Sequence, residues 1–159
     1  MDLLVKLYAL PAAAEDSQYG AQAGGGAQNV AIRRAFAAEK FLIADFGTSN
    51  FSRGWASECE VAFARQPIAC FIAVSANTIC GFACYDATAR GFFGPIGVEE
   101  KQRGHGLGSA LLRAALRDMR ANGYGYAIIG ATDTIKFYRA VGAIEIAGST
   151  PGFYSGMSR

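Results

Sequence analysis

The chain has 159 residues, of which 52% are hydrophobic and 18% charged, with a formal net charge of +2. That length suits one domain that buries about two thirds of its unfolded surface, and no apolar run approaches the roughly 18 residues of a membrane span. The small positive balance is dispersed along the chain, which excludes the counterion-release affinity of a nucleic-acid binder.

In chain order, Met1–Tyr8 is too short and too interrupted by charge to be the apolar region of a secretory signal, so a cytoplasmic location is expected. Leu3–Leu10 predicts a strand that stops at Pro11. Ala12–Gln28 is rich in Ala and Gly and contains Gly24-Gly25-Gly26, which predicts a flexible loop, with room for a short helix. Val30–Arg34 reads as the next strand. Ala37–Phe46 and Phe51–Arg65 predict two helices divided by Gly47-Thr48-Ser49-Asn50, where the glycine suits a C-cap and Ser and Asn suit an N-cap. Cys70–Ser75, Ile79–Asp86 and Phe92–Val98 follow as an antiparallel meander, with turns at Ala76-Asn77-Thr78 and Ala89-Arg90-Gly91. Ile79–Tyr85 has almost no polar alternation, as expected of a central strand covered on both faces.

Phe92-Phe93-Gly94-Pro95-Ile96-Gly97-Val98 is a poor ladder strand, because Pro95 lacks an N–H and the glycines add no cross-strand packing. It is expected to bulge or part from a neighbour. Leu107–Asn122 predicts a helix with Leu107, Leu111, Ala115 and Met119 on one stripe and Arg113, Arg117 and Arg120 on a solvated one. Gly123 closes it, and Tyr124–Gly130 predicts a strand parallel to Phe92–Val98 through a right-handed crossover. A last helix, Thr134–Val141, is capped by Thr132 or Asp133 and ends at Gly142. Ala143–Ala147 and a weak Phe153–Met157 segment complete the sheet. The fold class is therefore α+β: a mixed, mostly antiparallel sheet flanked by helices, with one parallel βαβ unit, no internal repeat and no second domain.

The most informative segment is Val98–Leu112, V-E-E-K-Q-R-G-H-G-L-G-S-A-L-L, where a strand ends in a basic, glycine-rich turn that opens into a helix. A helix N-terminus offers unpaired N–H groups and the positive end of the helix dipole, and so accepts a phosphate. Gly104, Gly106 and Gly108 let the backbone approach it without an intervening Cβ. A dinucleotide fingerprint fits poorly, since its third glycine would fall at Ser109, and no Gly-Lys-Ser/Thr of a P-loop follows.

The spacing Arg103-x-x-Gly106-x-Gly108 resembles the acyl-CoA signature of the GNAT superfamily of N-acetyltransferases. The resemblance runs from about Val30 to the C-terminus. The combination G-F-A-C-Y-D, F-F-G-P-I-G-V, R-G-H-G-L-G, Y-A-I-I-G and F-Y-R-A-V-G-A looks like one bacterial branch of it, to which no acceptor is attached. It implies acetyl-CoA as co-substrate, held by Ile96, Gly97, Val98, Arg103, Gly104, His105, Gly106, Leu107, Gly108, Ser109 and Phe137. It also implies that pantetheine pairs with the freed backbone of Phe92–Val98, in a gap beside Tyr124–Gly130. Tyr138 matches the position whose hydroxyl approaches the CoA sulfur and protonates the departing thiolate. The Asn often found seven residues earlier in the family is Ala131 here.

His105, the only imidazole, belongs to the cradle and is not assigned a catalytic role. The general base stays open among Glu58, Glu60, Asp86, Glu99 and a water chain. Phe51, Trp55, Tyr85 and Phe93 are the candidate acceptor-binding residues. Cys59, Cys70, Cys80 and Cys84 have no Cys-x-x-Cys spacing and read as buried small hydrophobes, so no metal site is expected. No serine or cysteine has a recognisable adjacent base, so direct attack by a small primary amine in a ternary complex is expected. A CoA-binding sensor without turnover and a protein lysine or N-terminal acetyltransferase are the alternatives. The remaining partner expectations are no nucleic acid, no membrane, and a homodimer left open.

Overall fold

The computed structural model describes residues 1–11 and 30–158. The expected loop at Ala12–Gln28 lies outside the described residues. Seven strands form one sheet: β1 (Leu3–Lys6), β2 (Val30–Arg34), β3 (Cys70–Ser75), β4 (Thr78–Tyr85), β5 (Phe92–Val98), β6 (Tyr126–Ile129) and β7 (Ile144–Glu145). Among the described residues four α-helices accompany them: α1 (Lys40–Asn50), α2 (Arg53–Phe63), α3 (Leu107–Ala121) and α4 (Ile135–Arg139). The strand order is β2-β3-β4-β5-β6-β1-β7. Only β5 and β6 run parallel, joined through α3 as the crossover helix.

The meander forms as its residues dictate. Ala76 and Asn77 sit at φ 47° and 61°, the left-handed pair that a two-residue hairpin turn requires. From Cys80 to Tyr85 every residue of β4 is buried. Successive side chains of a strand point to opposite faces, and the two faces of β4 meet different helices. A Cβ on Gly81 would lie 3.0 Å from a Leu111 methyl of α3. Its neighbour Phe82 packs instead against Phe46 of α1, Phe51, and Trp55 of α2. Helices α1 and α2 therefore cover one face and α3 the other. The four cysteines are free and buried, with Cys59 Sγ 3.9 Å from Cys84 Sγ under α2.

Several boundaries differ from expectation. The first strand ends at Lys6, and Leu7–Ala9 turns as a 3-10 helix that buries Leu7. Gly47 does not divide the two helices, because α1 runs through it to Asn50. Gly47 faces the next helix, where a Cβ would stand at ordinary contact distance, 3.5 Å, from the Ala56 backbone. The break falls at Phe51-Ser52, and the Ser52 hydroxyl accepts the Trp55 N–H at 3.2 Å as the N-cap of α2. Thr132 Oγ1 accepts the Thr134 N–H before α4, as one of the two expected caps would. Phe153–Met157 is not a strand. It is a series of turns, with the Phe153 ring 4.8 Å from that of Phe92.

No strand partner was assigned to β1 from the sequence. It lies between β6 and β7, pairing Leu3–Lys6 with Tyr126–Ile129 and Leu3–Leu4 with Ile144–Glu145. Beside it, Asp2 Oδ1 accepts the Ala131 N–H, Asp2 N–H donates to Ser149 Oγ, and its carbonyl accepts the Ile146 N–H. One residue thus joins the chain's start, the loop after β6 and the C-terminal segment. Among the described residues no helix is long and apolar enough to cross a membrane.

Leu3 is fully buried in the core. Leu3→Ala is expected to lower stability by about 2–5 kcal/mol in chemical denaturation. A loss below about 1 kcal/mol would show that β1 is not an integral strand.

Candidate active site

β5 pairs with β6 only at Phe92↔Ile128 and Phe93↔Ile129. Beyond Phe93 the two strands separate. On its other edge β5 sets Ile96 opposite Ala83 and Phe93 opposite Tyr85, so Gly94 and Pro95 face Cys84 alone, as a bulge. Gly94 takes φ 124°, a backbone state that glycine supplies readily. The parting opens a cavity of ≈ 1190 Å³. Its walls are residues 93–98 of β5, 102–109 save His105, 129–134 after β6, and Phe137 and Tyr138 of α4. The remaining wall comes from Phe51, the first turns of α2, Thr88, Tyr154 and Met157.

At one end lies the N-terminus of the 15-residue helix α3. Gly106 is its N-cap at φ 80°, ψ 0°, and no side chain caps the helix. Its first-turn amides therefore reach the cavity wall without a side-chain acceptor, together with the positive end of the helix dipole. Gly104 also sits at φ 80°, and a Cβ on either glycine would meet nothing within 4 Å. These glycines are required by backbone conformation, with open space before them. Arg103 Nε donates to the Val98 carbonyl at 3.0 Å, which holds the guanidinium beside the end of β5. The Phe137 ring lies 3.5 Å from where a Gly108 Cβ would stand, so α4 rests on the first turn of α3. A Cβ on Gly97 would lie 2.4 Å from the Phe51 ring, which fixes that ring over β5.

Tyr138 is 6% exposed, with its ring 4.9 Å from Phe137 and 6.3 Å from Phe93. Among the described residues its hydroxyl has no hydrogen-bond partner. Burial first, and the nearby Asp133 charge second, push its pKa up to about 12. The phenol therefore keeps its proton throughout the neutral range. Elsewhere on the wall, Glu58 Oε1 accepts the Thr88 hydroxyl at 2.6 Å and the Tyr154 hydroxyl at 2.7 Å. Thr88 Oγ1 and Tyr154 OH lie 3.0 Å apart. Burial is the main cause that pushes Tyr154 to about 12, with Thr88 opposing and Glu58 reinforcing.

The cavity gathers Ile96, Gly97, Val98, Arg103, Gly104, Gly106, Leu107, Gly108, Ser109, Phe137, Tyr138, Phe51, Trp55 and Phe93 from the sequence-based set. It does not gather His105 or Tyr85. His105 is exposed, with Nδ1 3.3 Å from the Gln102 carbonyl. Tyr85 has the same odd parity on β4 as Gly81 and so faces α3, where its hydroxyl donates to Asp118 at 2.6 Å. Arg34 pairs with the same carboxylate at 2.5 Å and also reaches the Ile68 carbonyl. This is a structural network on the far face of the sheet.

Of the carboxylates considered as bases, only Glu58 lines the cavity. Glu60 pairs with Lys40 and Glu99 with Lys101. Asp86 organises the β4–β5 turn, accepting from Gly91 N–H and the Tyr124 hydroxyl. Thr88, Gln102, Tyr154, Met157 and residues 132–134 escaped the sequence reading as parts of a site. For the last group the available signal was position, since they lie between a parallel strand and the next helix, where α/β ligands bind.

The acetyltransferase (GNAT) family pattern matches residues 32–143. No curated protein matches the chain. Among solved structures, a glucosamine N-acetyltransferase region of a fungal multi-domain β-N-acetylglucosaminidase superposes with a TM-score of 0.71 at 14% identity, over 90% of this chain and 19% of that one. An aminoglycoside N-acetyltransferase in complex with CoA gives 0.61 at 18% identity, over 76% of this chain and 91% of that one. A GNAT acetyltransferase from Brucella melitensis in complex with acetyl-CoA gives 0.55 at 21%, over 71% and 81%. This chain spans 32% of a GCN5-related N-acetyltransferase from Kribbella flavida. At these identities the likenesses speak for the fold. With a family pattern that covers residues 32–143 and a sheet that parts beside an uncapped helix N-terminus, the chain belongs to the GNAT acetyltransferase family.

Proposed function

We propose that the protein is an acetyl-CoA-dependent N-acetyltransferase that acetylates a primary amine of a small molecule by direct attack in a ternary complex. The observation that carries this reading is a single cavity shared by three features. They are the uncapped N-terminus of α3, the unpaired stretch of β5 beyond Phe93, and the buried Tyr138. Acetyl-CoA would supply an activated thioester there. The α3 amides, Gly104, Gly106, Gly108, Ser109 and Arg103 are suited to its phosphates. The free backbone of Gly94–Gly97 is suited to an extended ligand that adds itself like a strand. Phe137 and Leu107 supply apolar walls.

Tyr138 is the general acid in this reading. Its proton would be drawn toward the developing thiolate. The transfer is uphill from a phenol near 12 to a thiol near 8.5, so the hydroxyl acts as much by hydrogen bonding as by full transfer. A small acceptor, not a protein segment, is supported by the hydrogen bond between Glu58 of α2 and Tyr154 of the C-terminal segment, which closes that side of the cavity.

Acetyl-CoA is expected to raise the melting temperature by mass action, with NADH and ATP much less effective. Gly106→Val should weaken CoA binding tenfold or more, about 1.4 kcal/mol. Gly123→Ala imposes comparable backbone strain, at φ 92°, at the other end of α3 and should leave CoA affinity unchanged. Wild-type affinity in both variants, measured by calorimetry, would place the phosphates elsewhere.

Tyr138→Phe keeps the ring and its packing but removes the hydroxyl. A fall in kcat of about 10²-fold with little change in acetyl-CoA affinity is expected. A folded variant with wild-type turnover would remove Tyr138 from the mechanism. Because its phenol titrates near 12, the wild-type rate should show no alkaline limb from this group between pH 6 and about 10.

A further inference from the structure

Glu58, Thr88 and Tyr154 come from three separate parts of the chain: α2, the turn between β4 and β5, and the C-terminal segment. Their contacts are all short, and both hydroxyl groups meet on one carboxylate oxygen, Oε1. An ionised carboxylate can accept about four hydrogen bonds. Oε2 accepts none among the described residues, although Glu58 is half-buried in the cavity wall. A clamped carboxylate with one oxygen left open to a ligand cavity is arranged to receive a cation.

The surroundings narrow the ligand further. Among the described residues the cavity wall holds one cationic side chain, Arg103, and it lies at the α3 end, bonded to Val98. Among the described residues Glu58 is in no ion pair, so no bonded cation there balances a second negative charge. Trp55 precedes Glu58 by one turn on α2 and is stacked on Phe51 at 4.9 Å, which makes the adjoining wall aromatic. A ligand carboxylate placed there would meet a like charge with no compensating partner.

We propose that Glu58, held by Thr88 and Tyr154, is the acceptor-ammonium site, and that the acceptor is a primary amine on an aryl or alkyl body without a carboxylate. The proposal rests on the acetyltransferase reading above. The ammonium donates a hydrogen bond to Oε2, and one N–H bond then breaks as an O–H bond forms on Glu58, from which the proton leaves to solvent. The freed nitrogen lone pair forms the C–N bond to the acetyl carbonyl as the C–S bond breaks. The sulfur takes the Tyr138 proton, and the tyrosinate is reprotonated by the second N–H of the attacking nitrogen. The net release is one proton per acetyl transferred. Tyr154 acts as a positioning residue, because it touches Glu58 and not the reacting atoms.

The test uses the full chain, acetyl-CoA, and two probes that share a body, 2-phenylethylamine and L-phenylalanine. Wild type is expected to favour 2-phenylethylamine at least tenfold in kcat/KM. E58Q should lower kcat/KM for that amine tenfold or more and shrink the discrimination between the probes, while acetyl-CoA binding by calorimetry stays unchanged. Y154F should raise the amine KM at least threefold with kcat and the acetyl-CoA KM within twofold, a split that general loosening of the fold would not give. It also serves as the reading if E58Q does not fold. Equal use of the two probes, an unchanged amine KM in Y154F, or a larger KM effect from D133N than from E58Q would overturn the ammonium site alone. No turnover of either probe by wild type would overturn it together with the acetyltransferase reading. Retained stabilisation by acetyl-CoA in that case would point to a CoA-binding module.

Discussion

The candidate active-site cavity depends on a pairing that stops. Parallel strands β5 and β6 share a ladder only at Phe92 and Phe93, and from Gly94 to Gly97 the backbone of β5 has no strand partner on that side, before Arg103 takes the Val98 carbonyl. A strand edge inside a protein normally carries a cost, because unpaired N–H and C=O groups want partners. Here the composition of β5 lowers that cost. Pro95 has no N–H to satisfy, and Gly94 adopts φ 124° within the bulge against Cys84. What remains is a short row of backbone groups set beside an aromatic wall, with Phe51 seated directly on Gly97.

The two helical layers act on this opening in different ways. The α3 side supplies electrostatics: an N-terminus at Gly106 without a side-chain cap, on a helix whose inner stripe, from Leu107 to Met119, is buried in the core. The α1–α2 side supplies shape, through Phe46, Phe51 and Trp55 gathered around Phe82. Gly81 and Gly97 let both layers approach the sheet closely, since a Cβ on either would collide with a neighbour. Rigid support on both faces keeps the cradle and the acceptor wall in a fixed relation.

Much of this was legible in the chain because it rests on local rules. The Gly-rich turn before an amphipathic helix, the apolar run of β4 and the Pro-Gly pattern of β5 each have one structural meaning at short range. The failures share a long-range cause. Gly47 has the sequence of a C-cap, but the helix continues through it to Asn50 and packs there against Ala56 of the next helix. Tyr85 was placed near the acceptor on residue type, whereas strand parity turns it toward Asp118. Glu58 was one of four equal carboxylates until the fold brought Thr88 and Tyr154 to it from 30 and 96 residues further along the chain. Ala131 stands where the family often has Asn, at φ 49°, a conformation that Asn tolerates better than Ala. The chain offsets this with the Asp2 carboxylate on its N–H.

The insertion of β1 between β6 and β7 bears on the order in which the molecule can assemble. Leu3–Lys6 must wait for Tyr126–Ile129 and Ile144–Glu145 before it has any strand to join. Such pairings carry a loop-closure cost that is met before contacts reward it, and they slow folding. During vectorial synthesis the β3–β4–β5 meander can form early from neighbouring residues, whereas the Asp2 junction to Ala131, Ile146 and Ser149 can close only after residues 131–149 have been made. The wall bearing Tyr154 belongs to that later step, so the nascent chain can hold the α3 side of the candidate site before the side that Tyr154 completes.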